Sequence, residues 1–391
     1  MRYDRLMVPA ARVSNPFYFG DLALDEAFTD RRDELKALET DMLNGQNVAL
    51  IAPRRYGKSS LVRRASQQLV AEGFLVAEVD LMKAPTKERL ASHLARAIHD
   101  DIASPLFKAK EAALKIFDSL RVQPVITVDP GQGTYSFTFV ARHTDEDIDA
   151  TLERLLELPA QLAAEQKAKV VVYFDEFQEI TDIDPKLPAL MRAVFQEQPD
   201  VAHVYAGSKK DMMSRLFNDK NEAFYRSAKV MEIGAIPRAL FVTFIKERFE
   251  ATEKGVSDAA IEGLLEITEG HPYATQELAY ALWDEVPVGF SATISDLERA
   301  IDVVLRSENA RFTLLWDSLS RVQRQLVQAL AVEPGHVQSA RYLLQHGLPS
   351  ASGVQKAARA LETAELIGKR PDRRSAIVEP FLAEWIQRYA A

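Results

Sequence analysis

The chain has 391 residues, which exceeds one ordinary domain and predicts two or three. Apolar residues make up 47% and charged residues 27%, which excludes a disordered or fibrous chain, and the absence of cysteine excludes disulfides and thiolate metal sites. The net charge of −9 disfavours a general affinity for nucleic acid, and the lack of a signal-peptide pattern or an apolar span predicts a cytoplasmic protein with no membrane partner.

The first recognisable element is a short apolar run, NVALIAP at residues 47–53, which is typical of a buried strand. The polar stretch RRYGKSS follows it, and then LVRRASQQLVAEG shows helical spacing that ends at Gly73. A second apolar run, FLVAEVDL, and a long helical pattern from Lys87 to about Leu120 repeat this order. Strands that alternate with helices predict a parallel sheet.

The alternation is interrupted at residues 122–142, where two strand-like runs flank the sequence DPGQG. Glycine in such a turn supplies the positive φ of a β-hairpin, so we interpret this segment as a hairpin insertion. A Leu-rich helix then leads to the apolar strand VVVYFDEF, and AHVYAGS and VMEIGAIP predict two more strands. Together these elements predict a parallel α/β domain over residues 1–236.

The rest of the chain is mostly helical in pattern. Residues 237–309 contain a helix-start signal at Ser257 and a Gly-His-Pro break at 270–272, and they predict a small helical subdomain. From residue 310 the pattern runs helix, helix, short helix, helix, hairpin and closing helix. This order predicts a winged-helix domain over residues 310–391.

A phosphate-binding loop is predicted between the first strand and the first helix, where Ala52 replaces the first glycine of the usual motif. In this motif backbone N–H groups and the helix N-terminus surround the phosphates of ATP, the Lys58 ammonium reaches the β and γ oxygens, and the Ser59 hydroxyl binds Mg²⁺. Alanine is tolerable at position 52 if its φ is negative. The alternative is an ordinary strand-to-helix turn. The residues expected to hold the nucleotide are Pro53, Arg54, Arg55, Tyr56, Gly57, Lys58, Ser59 and Ser60.

Two carboxylates follow the strand VVVYF, at Asp175 and Glu176. The carboxyl ends of parallel strands face the crevice where ligands bind in open α/β sheets. We expect Asp175 to join the Mg²⁺ shell and Glu176 to accept a proton from the attacking water. Although an Asp-Glu pair can simply end a strand, its combination with an upstream phosphate loop predicts ATP hydrolysis to ADP.

Two further residues are candidates for the same reaction. Ser208 ends the next strand, where a small polar side chain would orient the water or touch the γ-phosphate; the alternative is an ordinary Gly-Ser turn. Arg226, before the last strand, is a candidate for a cationic finger that offsets charge in the transition state. The alternative for Arg226 is an ordinary surface charge.

The chain resembles the archaeal-type ATPases of the STAND class, which are relatives of AAA+ proteins. The resemblance covers most of the chain, in the segments NPFYFGDLALDEAFTDRRDEL, APRRYGKSSLV, VVVYFDEFQEI, AGSKKDMM, EIGAIP and TEGHPYATQELAYALW. It implies a P-loop NTPase with a helical lid subdomain and a C-terminal winged-helix domain that act as an ATP-driven switch. It also implies that Phe28, Thr29 and Asp30 border the adenine, and that His271 and Pro272 form a lid motif near the phosphates. The alternative for His271 is a histidine that caps a helix.

The C-terminal region carries 11 Lys+Arg against 7 Asp+Glu from Ala310 onward. Its basic side chains predict contact with double-stranded DNA phosphates. The alternatives are a protein-docking module or a solvated charged hairpin. The candidate DNA contacts are Lys356, Arg359, Lys369, Arg370, Arg373 and Arg374.

Other functions remain open at this point. A DNA-acting motor or loader would share the same core and winged helix, whereas a non-hydrolysing nucleotide-binding scaffold is disfavoured by Glu176. A kinase is weaker still, since no acceptor-substrate motif follows the carboxylates. The sensed partner and the oligomeric state are not specified by the sequence.

Overall fold

The computed structural model describes residues 14–20, 31–104, 120–129, 134–139, 144–370 and 372–390. These residues belong to two compact units. One unit is Arg31–Gly234, here called the α/β unit; the other takes in residues 14–20 and the chain from Ala235 onward, here called the helical unit.

The α/β unit is built on a five-stranded sheet in which every neighbouring pair is parallel. The strand order across the sheet is β2 (Leu75–Asp80), β5 (Val170–Asp175), β6 (Val201–Gly207), β1 (Val48–Ile51) and β7 (Lys229–Glu232). A separate antiparallel hairpin pairs β3 with β4. The elements in chain order are α1 Arg32–Leu43, β1 Val48–Ile51, α2 Lys58–Ala71, β2 Leu75–Asp80, α3 Lys87–Ala97, β3 Val125–Asp129, β4 Thr134–Thr138, α4 Asp145–Gln166, β5 Val170–Asp175, α5 Ile180–Ile183, α6 Leu187–Phe195, β6 Val201–Gly207, α7 Lys210–Asn218 and β7 Lys229–Glu232.

The register of the sheet brings three chain segments to one edge. Strand β6 lies between β1 and β5, with Ile51 paired to Gly207 and Phe174 paired to Tyr205. Because the strands are parallel, the residues that follow β1, β5 and β6 all emerge at the carboxyl edge. The loop after Ile51, the acidic pair and Ser208 therefore converge there although they are distant in sequence.

An aromatic cluster behind this edge fixes the backbone that follows β5. Phe177 is fully buried, and its ring centroid lies 4.6 Å from that of Tyr205 and 5.1 Å from that of Phe224. Truncation of a buried phenylalanine of this kind typically costs about 3–5 kcal/mol. The turn that carries Glu176 is thus anchored by apolar packing one residue away.

The helical unit ends in a winged helix, whose wing is the antiparallel pair β10 (Ile367–Lys369) and β11 (Ser375–Ile377). A short parallel pair, β8 with β9, joins two of its earlier loops. Its elements are α8 Arg238–Glu250, β8 Gly255–Val256, α9 Asp258–Thr268, α10 Pro272–Asp284, β9 Ser291–Ala292, α11 Ile294–Ser318, α12 Arg321–Val332, α13 Ala340–Gln345, α14 Ala351–Thr363, β10 Ile367–Lys369, β11 Ser375–Ile377 and α15 Pro380–Tyr389.

The predicted fold class is confirmed: a central parallel sheet is followed by helices and a C-terminal winged helix. The hairpin strands within 122–142 also pair as predicted, while their turn at 130–133 lies outside the described residues. The helix expected from Lys87 to about Leu120 is α3 with a π-helical turn at Ile98–Ala103, and residues 105–119 lie outside the described residues.

Three features of the structure bear on the predicted domain division at 236/237 and 309/310, which stays a prediction. Residues 14–20 pack with the helical unit, where Phe17 is 2% exposed and its ring lies 5.5 Å from that of Phe249. The two-residue strand β8 interrupts the predicted helical subdomain. Helix α11 runs through the expected boundary at 309/310. Each of these features depends on long-range packing, which local sequence patterns do not encode. No helix among the described residues has the length and apolar character needed to cross a membrane.

Candidate functional site

The loop between β1 and α2 has the backbone geometry of a phosphate-binding turn. Gly57 has φ of 80° and precedes α2, and Leu61 N–H donates to its carbonyl at 2.9 Å. Ala52 is fully buried, is not among the described residues with positive φ, and donates its N–H to the Gly207 carbonyl at 3.3 Å. Alanine is therefore accommodated at this position without backbone strain.

Lys58 begins α2 and lies buried between the two predicted carboxylates. Its Nζ is 2.9 Å from Glu176 Oε1 and 3.3 Å from Asp175 Oδ1. Its side chain is only 7% exposed, so water screens these charges weakly. The ammonium is held at the carboxyl edge of the sheet by two anions.

Ser59 and Asp175 form an oxygen-rich pair beside this lysine. The Ser59 hydroxyl donates to Asp175 Oδ2 at 3.1 Å. A hydroxyl and a carboxylate are hard oxygen donors that suit Mg²⁺, which usually takes only one or two protein ligands together with substrate phosphates. The described residues contain no cluster of three or more His, Asp or Glu arranged to hold a metal. The pair thus fits a Mg²⁺ that is bound jointly with a nucleotide.

Glu176 has both carboxylate oxygens engaged. Oε1 contacts Lys58, and Oε2 accepts hydrogen bonds from the Ser208 hydroxyl at 2.8 Å and from Gln178 Nε2 at 2.5 Å. Burial acts to raise the pKa of Glu176, but the Lys58 charge and these hydrogen bonds outweigh it and the pKa is lowered. The carboxylate is therefore ionised at neutral pH.

The sequence analysis did not predict two of the residues at this site. Gln178 contacts Glu176 directly, and its only sequence signal is its place in the DEFQ segment. Arg31 is 4% exposed and donates to the carbonyls of Tyr56 at 3.1 Å and Gly234 at 2.8 Å. Burial lowers the pKa of Arg31 while its pairing with Glu34 opposes the shift. Arg31 ties the phosphate loop to the chain that follows β7.

The remaining loop residues lie as expected from a strand-loop-helix order. Arg54 and Arg55 are exposed, Pro53 and Tyr56 are half-buried, and Ser60 is buried within α2. Arg55 has φ of 65°, so it takes part in the turn through its backbone. Phe28, Thr29 and Asp30, which were expected to border the adenine, lie outside the described residues.

Arg226 lies near the end of the sheet opposite to the phosphate loop, and its role as a cationic finger stays a prediction. It precedes β7, and the neighbouring Ser227 and Lys229 bond to Asn47, which precedes β1. These contacts put Arg226 at the amino edge of the parallel sheet, while the phosphate loop is at the carboxyl edge.

His271 and Pro272 begin α10 in the helical unit. His271 is buried at 4% exposure, and its Nδ1 accepts a hydrogen bond from Ala274 N–H at 3.3 Å. Pro272 occupies the first helical turn, where its missing N–H costs nothing. The structure therefore places His271 as a helix cap, which was the alternative interpretation.

The candidate DNA contacts divide into two groups. Lys356 and Arg359 are exposed on α14, on the side opposite its buried residues Val354, Ala358 and Leu361, and Arg373 is exposed at the turn of the wing. The other three make ion pairs within the helical unit: Lys369 with Glu362 at 3.3 Å, Arg370 with Glu269 at 2.5 Å, and Arg374 with Asp372 at 2.7 Å.

The sheet order, the loop before α2 and the acidic pair beside it define a P-loop nucleotide-binding fold. A family model described as an ATPase domain predominantly from Archaea matches residues 28–278, well over half of the chain, and this protein belongs to that family. A second model, described as a probable winged helix domain, matches residues 310–388.

Solved structures share this fold at low sequence identity. The Walker-type ATPase PABY2304 of Pyrococcus abyssi is 18% identical, with a TM-score of 0.62 over 93% of this chain and 97% of its own. The ORC2 protein of Aeropyrum pernix, solved as ADPNP-ADP complexes, is 16% identical, with a TM-score of 0.52 over 93% of this chain and 96% of its own. No curated protein matches this chain at a significant level. The similarity therefore establishes a nucleotide-binding ATPase fold.

Proposed function

We propose that this protein is a STAND-type ATPase switch, in which Mg²⁺-dependent hydrolysis of ATP to ADP rearranges a helical lid and a winged helix. One observation carries the proposal: an ionised carboxylate, Glu176, lies at the phosphate loop in contact with both Lys58 and Ser208. A cytoplasmic setting and the division into domains at 236/237 and 309/310 belong to the same proposal.

Lys58 changes partners when ATP binds. Without a nucleotide, two carboxylates hold its ammonium; the β- and γ-phosphate oxygens carry more negative charge and attract it away from them. Loss of the Lys58 contact frees Oε1 of Glu176 toward solvent. Residues 53–60 form the loop around the phosphates, to which residues 54–60 supply backbone N–H groups and the N-terminus of α2.

Glu176 then acts as general base. Its carboxylate takes a proton from water as the water oxygen forms a bond to the γ-phosphorus and the bond from that phosphorus to the bridging oxygen breaks, releasing ADP and phosphate. Ser59 and Asp175 would hold Mg²⁺, which supplies neutralisation of the phosphate charge. Ser208 donates its one O–H to Oε2 and so keeps the base in place.

The less direct candidates have limited roles in this proposal. Phe28, Thr29 and Asp30 border the adenine, and the His271–Pro272 lid motif closes toward the phosphates while His271 also caps α10. Arg226 serves the reaction only if a second copy of the chain presents it to this site, because it lies at the wrong edge of its own sheet.

The test is steady-state ATP hydrolysis and equilibrium ATP binding by the wild type and by Glu176→Gln, with and without duplex DNA. We expect measurable turnover that Glu176→Gln removes while ATP binding is retained. Binding that is absent in the wild type, or unaltered in Lys58→Ala, would contradict the assignment of the nucleotide site.

A DNA-acting motor or loader is the second candidate, favoured by the exposed Lys356 and Arg359 on α14. It requires hydrolysis that duplex DNA stimulates strongly. A switch gated by a protein partner instead has turnover that DNA leaves unchanged, so the same assay separates the two functions.

A further inference from the structure

Gln178 is a buried glutamine that contacts Glu176 from outside the phosphate-loop motif. Its side chain is 0% exposed, and it lies in the short turn Phe177–Glu179 directly after Glu176. Burying an amide group costs free energy unless its polar atoms find partners, so packing alone would favour an apolar side chain here. The contacts of this amide therefore need an explanation.

The orientation of the Gln178 amide is determined by its neighbours. Nε2 donates to Glu176 Oε2 at 2.5 Å and lies 3.3 Å from Glu179 Oε1, whereas Oε1 has no hydrogen-bond partner among the described residues. Exchanging the two atoms would point the amide oxygen at two carboxylates, which is repulsive. The amide thus serves as a donor to Glu176, and one of its polar atoms is left unsatisfied to allow this.

Gly207 provides the space that the amide occupies. A Cβ at this position would lie 2.4 Å from Gln178 Oε1 and 2.4 Å from Met213 Sδ. Both distances are far below van der Waals contact, so any larger residue at 207 would displace the amide or the methionine. The carboxyl end of β6 is shaped to admit Gln178.

The contact between Gln178 and Glu176 persists after ATP has bound. Once Lys58 has turned to the phosphates, Oε2 of Glu176 is still held by Gln178 and Ser208. We infer that Gln178 is a positioning residue, which holds Oε2 so that Oε1 faces the attacking water; this inference rests on the proposed ATP hydrolysis.

The experiment compares turnover at saturating Mg-ATP, the Kd for ATP and the thermal unfolding midpoint of the wild type, Gln178→Met and Gln198→Met. Methionine has a similar length but donates no hydrogen bond. Gln198 is the matched control: it is also buried, and its Nε2 donates to the Leu156 carbonyl at 2.9 Å, but it precedes β6 at the amino edge of the sheet.

We expect Gln178→Met to lower kcat by about tenfold or more, since a general base contributes about 10²–10⁴-fold in total, with the Kd for ATP changed by less than about threefold. Gln198→Met should lower the unfolding midpoint and leave kcat nearly unchanged. Turnover of Gln178→Met equal to that of the wild type, or a loss of turnover that Gln198→Met matches, would overturn the inference.

A second variant covers the case in which Gln178→Met does not fold. Gln178→Glu keeps the shape of the side chain but places a carboxyl against Glu176. Its kcat relative to wild type should recover as pH falls from 8 to 6, because the protonated carboxyl donates as the amide does; a pH-independent ratio contradicts the inference. If the wild type hydrolyses ATP no faster than Glu176→Gln, both the proposed hydrolysis and this inference are overturned. If the wild type is active and Gln178→Met is equally active, only this inference is overturned.

Discussion

The carboxyl edge of the sheet and the winged helix both concentrate charge, but they do so in different surroundings. At the sheet edge Lys58 is 7% exposed and contacts two carboxylates that are less than one-fifth exposed. On the wing, Lys369 is 53% exposed and Arg374 is 44% exposed, and each pairs with a nearby carboxylate. Water and salt weaken exposed ion pairs. The same number of charged residues therefore has a smaller effect on the wing than at the carboxyl edge of the sheet. Burial separates a functional charge from a solvated one.

The substitution Glu176→Gln should have the largest effect. It keeps the shape of the side chain but cannot accept a proton, so we expect kcat to fall by about 10²–10⁴-fold with ATP binding retained. Steady-state hydrolysis measures this, with the exposed Glu197→Gln as control. A Glu176→Gln variant that keeps wild-type turnover would show that the carboxyl edge of the sheet is not the catalytic region.

The lowered pKa of Glu176 predicts how the stability of the folded protein depends on pH. Its folded-state pKa lies below the ordinary 4.5, so its contribution to stability is present above that pH and is lost as pH falls through the lowered value. Wild-type unfolding curves measured from pH 7 down to about 3 should show a stability loss that Glu176→Gln reduces. Identical pH dependence in both proteins would contradict the charge pairing at the edge.

Removal of the buried ammonium should have the next largest effect. Lys58→Ala takes away the cation expected at the phosphates, and we expect ATP affinity to fall by about a hundredfold, since charge-assisted contacts are about twice as strong as neutral ones and this group also carries the ionic attraction. Equilibrium titration with a labelled ATP analogue measures the change. Arg63→Ala, on the exposed side of α2, is the control and should bind normally.

Ser208→Ala should have a moderate effect. The hydroxyl donates one hydrogen bond to Glu176 Oε2, and its loss leaves Gln178 as the remaining donor to that oxygen. We expect kcat to fall by about tenfold, which corresponds to roughly 1.4 kcal/mol, at an unchanged Kd for ATP. Ser214→Ala on α7 is the control. A larger fall in ATP affinity than in kcat would assign Ser208 to binding instead.

The winged helix should respond least to single changes. The double variant Lys356→Ala/Arg359→Ala removes two exposed charges from α14, and we expect the slope of log affinity for duplex DNA against log salt to decrease by about two. Arg306→Ala/Arg321→Ala is a charge-matched control outside α14 and the wing. An equal slope in both variants would assign α14 to a protein partner or to solvent.

Local patterns predicted the phosphate loop, the acidic pair and the winged-helix order because each depends on residues close in sequence. The Gly57-Lys58-Ser59 run between an apolar strand and a helix is such a pattern. Arg226 illustrates the opposite case: its position before the last strand was visible, but which edge of the sheet it occupies follows from parallel pairing with β1. Gln178 was missed because its role depends on Gly207, a residue on another strand.

The sequence by itself determined the class of fold and the side chains at the nucleotide edge, because strand, loop and helix patterns are local and a parallel sheet aligns the ends of its strands. The tertiary structure alone decided which neighbours those side chains have. In this structure β6 lies between β1 and β5, Phe17 packs against Phe249, and Gln178 is buried against Glu176. These outcomes depend on how separate elements pack together, and that is a global property of the chain.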